Sequence, residues 1–113
     1  MIVMAEWFFF YDSRYMDDTV REILEIARSM SHIKIIDTAN MSDEEHNKIY
    51  FDIIVPISVF ARIKVRGHIR THKAGAIWFS EGVLVKSESD PREGRIWIGR
   101  EALDVLRKLR HTA

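Results

Sequence analysis

Residues 62–72 read Arg-Ile-Lys-Val-Arg-Gly-His-Ile-Arg-Thr-His, so every second residue is basic or titratable. The cationic set is Arg62, Lys64, Arg66, His68, Arg70 and His72; the residues between are Ile63, Val65, Gly67, Ile69 and Thr71. Strand side chains alternate between faces. As a strand, this segment has one apolar face and one cationic row. Alternate cations then stand roughly 6.5–7 Å apart, close to the phosphate spacing of an extended single strand of nucleic acid. A strand-period row suits a flexible single strand better than the major groove of a duplex. His68 and His72 add positive charge below about pH 6.5.

Other groupings carry weaker chemistry. His68 and His72 are spaced to share a zinc ion on a helix. On a strand they sit about 13 Å apart, so no metal site is expected. Asp43, Glu44, Glu45 and His46 have the composition of a hydrolase cluster, but helix capping explains the carboxylates and an exposed loop histidine is common. Asp12, Asp17 and Asp18 offer carboxylates for Mg²⁺ in a nuclease. Capping explains the last two, and no acid-x-lysine triplet follows them. The five glycines are scattered at turns, so no phosphate-cradling loop is present. No catalytic residue and no cofactor is expected.

The 113 residues make one domain, 1–113, the default. There is no cysteine, which excludes disulfides, thiolate metal sites and a cysteine nucleophile. Met1 to Ala5 is short for a signal peptide, and no apolar run has spanning length, so a cytoplasmic protein is expected. Glutamine is absent, asparagine occurs only as Asn40 and Asn47, and 30% of residues are charged. That bias is thermophile-like. Net charge is zero, yet residues 1–60 carry 11 acids against 5 bases, and residues 61–113 carry 12 bases against 6 acids. A neutral total argues against coating duplex DNA by bulk charge, while the segregation allows one cationic face on an acidic body.

These residues need elements to position them. The aromatic run Glu6 to Tyr11 reads as a central strand covered on both faces. Asp17, Asp18 and a Thr19–Glu22 capping box open a helix to about Met30, with Val20, Ile23, Leu24, Ala27 and Met30 as its stripe. His32 to Thr38 reads as a strand, and Asn40 to Lys48 as a polar connection with one helical turn at Ser42. Ile49 to Val55 reads as a buried strand ended by Pro56. Ile57, Phe60 and Ala61 have helical spacing, but the alternation running to His72 favours one long strand bent near Gly67. A meander follows: Ala76 to Ser80, Val83 to Ser89 and Arg95 to Ile98, separated by turns at Glu81-Gly82 and 90–94. Arg100 to Arg110 is a last amphipathic helix.

The expected fold is therefore α+β, a mainly antiparallel sheet of five or six strands with two amphipathic helices on one face. The open face would carry Trp78, Lys86, Arg95 and Trp97 beside the basic row. Arg62, Lys64, Arg66, Arg70, Lys86 and Arg95 would then meet phosphates while Trp78 and Trp97 stack on bases. In general character, a small α+β domain with a basic and aromatic sheet face, the chain is similar to thermophilic archaeal single-stranded-DNA-binding proteins of the ThermoDBP type. The expected function is sequence-independent binding of single-stranded DNA or RNA. One alternative is a homodimeric scaffold using the same face, with the basic half neutralised by carboxylates such as Asp17, Asp18, Glu22 and Glu25. Another is a small nuclease.

Overall fold

The computed structural model describes residues 5–61, 69–71, 77–79 and 81–112. Strand β1 (Glu6–Tyr11) leads through a short 3₁₀ turn (Ser13–Tyr15) into helix α1 (Asp18–Arg28) and then into β2 (Ile33–Asp37). β2 lies parallel to β1, so these elements form a β-α-β unit. A second 3₁₀ turn (Thr38–Asn40) precedes α2 (Asp43–Ile49), a π-helical segment (Tyr50–Ile54) and α3 (Val55–Ala61). β3 (Ile69–Thr71) and β4 (Ile77–Phe79) pair as an antiparallel hairpin of their own. β5 (Val83–Ser87), β6 (Arg95–Ile98) and α4 (Arg100–Thr112) complete the order.

The main sheet has four strands in the order β2-β1-β5-β6, with β1–β2 parallel and the other pairs antiparallel. This overturns the expectation of a mainly antiparallel five- or six-stranded sheet. The segment read as a strand from Ile49 to Val55 is helical, and among the described residues of the alternating segment 57–72 those up to Ala61 are helical and Ile69–Thr71 are strand. Arg62, Lys64, Arg66, His68 and His72 lie outside the described residues.

Helix α2 starts because Ser42 accepts a hydrogen bond from the Glu45 N–H at 3.2 Å and Asp43, Glu44 and Glu45 fill the first turn. The backbone then stays helical through Ile49, Tyr50 and Val55. Pro56 lacks an N–H and its ring crowds the carbonyl four residues back. The helix accommodates it by widening just before: the Val55 N–H reaches back to the Tyr50 carbonyl, an i to i−5 bond. Ile54 and Ile57 on one face of this helix are buried against the sheet. Burying such side chains, at about 1.5–3 kcal/mol each, outweighs the β-propensity of the isoleucine-rich run.

Period-two alternation along β1 divides the core. Phe8 and Phe10 face Ile54, Ile57, Val83, Val85 and Ile96 under the α2–α3 helix. Phe9, with Trp7 and Tyr11 beside it, faces Val20, Ile23, Leu24, Ala27, Leu84, Leu103 and Leu106 under α1 and α4. Both faces of the sheet therefore carry helices, against the expectation of two helices on one face and an open second face. The last turn before α4 uses Gly99 at φ +60°, where its N–H donates to the Gly82 carbonyl at 2.8 Å.

Candidate nucleic-acid interface

The aromatic and basic residues of the main sheet meet near the start of β1. Register places Trp7 opposite Lys86, and Lys86 opposite Arg95. Trp97 sits one rung along, opposite Leu84. All four therefore share the sheet face that carries α1 and α4. Trp97 does not lie on a bare face opposite the helices, as the sequence suggested; it packs at the margin of the α1–α4 core with Val105 and Leu109.

At that margin Trp7 and Trp97 stack with centroids 5.7 Å apart and planes within 7°. Both remain partly exposed. The Lys86 ammonium lies 6.0 Å from the Trp7 ring centroid, within cation–π range. It also pairs with Glu88 at 3.2 Å. His32 meets Trp7 edge-on at 6.4 Å. The exposed Arg95 guanidinium donates to the Gly94 carbonyl at 2.7 Å and to the Arg92 carbonyl at 3.1 Å. Those bonds hold its stem beside the turn and leave further guanidinium N–H groups to donate.

Charge at the neighbouring turn is locally matched. Arg92 donates to Asp90 from its side chain and backbone, which holds the Asp90 carboxyl below the usual carboxylate range. The same side-chain contact raises Arg92.

The hairpin holds the remaining predicted pair. Arg70 stands opposite Trp78 in the β3–β4 register. Because β3–β4 is a separate two-stranded sheet whose β4 approaches α2 and the 38–40 turn, Arg70 and Trp78 do not join Lys86, Arg95 and Trp97 on one sheet. Trp7 and His32 are the additions. Trp7 reads as core from sequence, and only the pairing of β1 with β5 brings it against Lys86; nothing in the sequence marks His32.

The acidic groupings have structural partners. Asp17 caps α1, accepting from the Val20 N–H at 2.8 Å, and so sits two residues before the Thr19 cap expected from sequence. Asp18 pairs with Arg21 at 3.3 Å. Asp12 is buried and takes the Arg14 guanidinium at 2.6 Å. That side-chain bond raises the Arg14 pKa further. Glu22 pairs with Arg107 across the α1–α4 seam.

His46 is buried rather than in an exposed loop. Its Nε2 lies 2.6 Å from the Thr38 carbonyl, which only accepts, so Nε2 carries a proton. Among the described residues no group of three or more histidines, cysteines, aspartates or glutamates is arranged to hold a metal ion, and no helix is long and apolar enough to cross a membrane. No family model matches the chain, and no curated protein or solved structure does so either.

Proposed function

We propose that this protein binds single-stranded nucleic acid with little base specificity, in the cytoplasm. The observation that carries the proposal is the stacked, partly exposed Trp7–Trp97 pair with the Lys86 ammonium over Trp7. An indole face stacks on any base, at about 1–3 kcal/mol per base. Lys86 and Arg95, on adjacent strands of the same face, supply phosphate partners next to it. The basic row Arg62, Lys64, Arg66, Arg70 and the residues His68 and His72 extend the cationic contact in this reading, with Trp78 as a second stacking residue.

The testing experiment is a fluorescence-anisotropy titration of labelled single-stranded and duplex oligonucleotides at several salt concentrations, with tryptophan emission followed in parallel. Preferential single-strand binding is expected, with quenched tryptophan and a log–log salt slope of several phosphates. The Arg66→Glu, Arg70→Glu double variant tests the contribution of the basic row. No binding at low salt, or unchanged affinity in a folded double variant together with Lys86→Glu, would overturn the proposal.

A further inference from the structure

Lys86 and Arg95 stand directly opposite each other in the β5–β6 register, on the face that carries Trp7 and Trp97. Like charges directly opposite on one face destabilise a sheet, and an anion close by offsets the repulsion. In this structure a carboxylate stands there: Glu88 lies 3.2 Å from the Lys86 ammonium. The side chains of Lys86 and Glu88 are 34% and 26% exposed, so the pair is partly withdrawn from water and less screened than one in full solvent. Neighbouring groups are engaged differently. The Arg95 guanidinium donates to the Arg92 and Gly94 carbonyls, which are neutral acceptors. Asp90 is held by Arg92.

We propose that Glu88 is a built-in competitor for the phosphate site: its carboxylate occupies Lys86 in the free protein, and a phosphate of the bound strand displaces it. The inference rests on the nucleic-acid reading above and names how that site is held in check. Carboxylate and phosphate both take charge-assisted hydrogen bonds from an ammonium, so one stands in for the other. Two anions on one ammonium repel at close range. Glu88 is the one able to leave. It follows Ser87, the last ladder residue of β5, so its side chain turns out to solvent without disturbing a strand bond. Lys86 stays, with its ammonium beside the Trp7 ring at 6.0 Å.

This arrangement gives Glu88 two effects of opposite sign. It stabilises the free protein and weakens the complex. A residue kept only for its ion pair would alter stability alone, and one that positions Lys86 would strengthen binding.

The test compares the parent chain with Glu88→Gln, Lys86→Gln and the Lys86→Gln, Glu88→Gln double variant in anisotropy titrations of labelled oligothymidylate. Salt is held at about 0.15 M, where the screening length is about 8 Å and distant charges count little. Glu88→Gln should bind about two- to fivefold more tightly, the range that a partly exposed ion pair supplies, while its urea midpoint falls. The gain should shrink in the Lys86→Gln background. Glu25→Gln, which removes the same charge from an exposed position on α1, should bind like the parent. Unchanged or weaker binding by Glu88→Gln, beside a parent that binds, would overturn this inference and leave the nucleic-acid reading standing. So would an equal gain in both backgrounds, an equal gain with Glu25→Gln, or a urea midpoint that rises. No binding by the parent or any variant would overturn both.

Discussion

The indole of Trp7 lies parallel to that of Trp97, 5.7 Å away, although β5 separates their strands in the sheet. The contact is a diagonal one across β5: Trp7 stands opposite Lys86, and Trp97 opposite Leu84 two residues earlier. In a protein that binds a single strand here, Trp97→Ala should lower affinity by about 1–3 kcal/mol, roughly five- to a hundred-and-fiftyfold. Lys86→Gln should reduce the log–log salt slope by about one. Arg21→Gln, which breaks only the exposed pair with Asp18, should leave binding unchanged. Equal affinities for all three variants in anisotropy titrations would place the contact elsewhere.

Asp37 links the ends of the two parallel strands. Its Oδ1 accepts from the Ser13 N–H at 3.1 Å and from the Ala39 N–H at 3.0 Å. Partial burial pushes its pKa upward, but these hydrogen bonds, with Arg14 nearby, outweigh it and hold the carboxyl below its ordinary 3.8. A depressed folded value means the stabilisation is present above 3.8 and is lost as pH falls through the folded value. Asp37→Asn should therefore be less stable at pH near 7 by up to about 1 kcal/mol, a figure discounted for solvent screening. Urea midpoints of the two proteins should converge below that pH; a gap that persists in acid would refute the charge-based account.

Gly82 is buried against Phe9. A Cβ there would lie 2.6 Å from the far ring carbon of Phe9, a side chain with no exposed surface. The ring is packed among Val20, Leu84 and the α1–α4 helices and has no room to retreat. Gly82→Ala should destabilise the protein by about 1–3 kcal/mol in chemical denaturation. A variant as stable as the parent would mean that β5 can shift at its first residues.

Two bonds tie α2 to the end of β1. His46 Nε2 donates to the Thr38 carbonyl at 2.6 Å, and the Thr38 hydroxyl donates to the Tyr11 carbonyl at 3.0 Å. His46→Leu keeps the site filled but removes the shorter of two hydrogen bonds to the buried Thr38 carbonyl, which still accepts from the Met41 N–H at 3.3 Å, at a cost of about 0.5–1.5 kcal/mol. Thermal unfolding should show the loss, and His46→Gln should recover part of it. An unchanged melting temperature for the leucine variant would show that the Met41 N–H alone satisfies the carbonyl.

Local pattern was enough where a segment's own period matches its structure. Glu6–Tyr11 and Arg95–Ile98 are strands with the bounds that alternation and turn residues indicate, and the α1 and α4 stripes are legible because apolar residues recur every three or four positions. The unbroken aromatic run of β1 already implied cover on both faces, a condition that an open platform on the same sheet does not satisfy. The failure lies at residues 49–61. Isoleucine, valine and aromatics there read as strand, and Pro56 reads as a stop. A short apolar run has no period of its own to choose between strand and buried helix.

Residue order along the chain was enough to mark which segments are amphipathic, the segregation of acidic and basic residues between the two halves, and the lack of cysteine. Tertiary structure alone decided that 43–61 is one helix widened ahead of Pro56, that β2 runs parallel to β1, and that Trp7 meets Trp97 and Lys86. The physical reason is range. Period and capping act within a few residues. Choice of sheet neighbour, register and covering face follows from burying distant apolar surfaces against one another, and no single segment records which surface that will be.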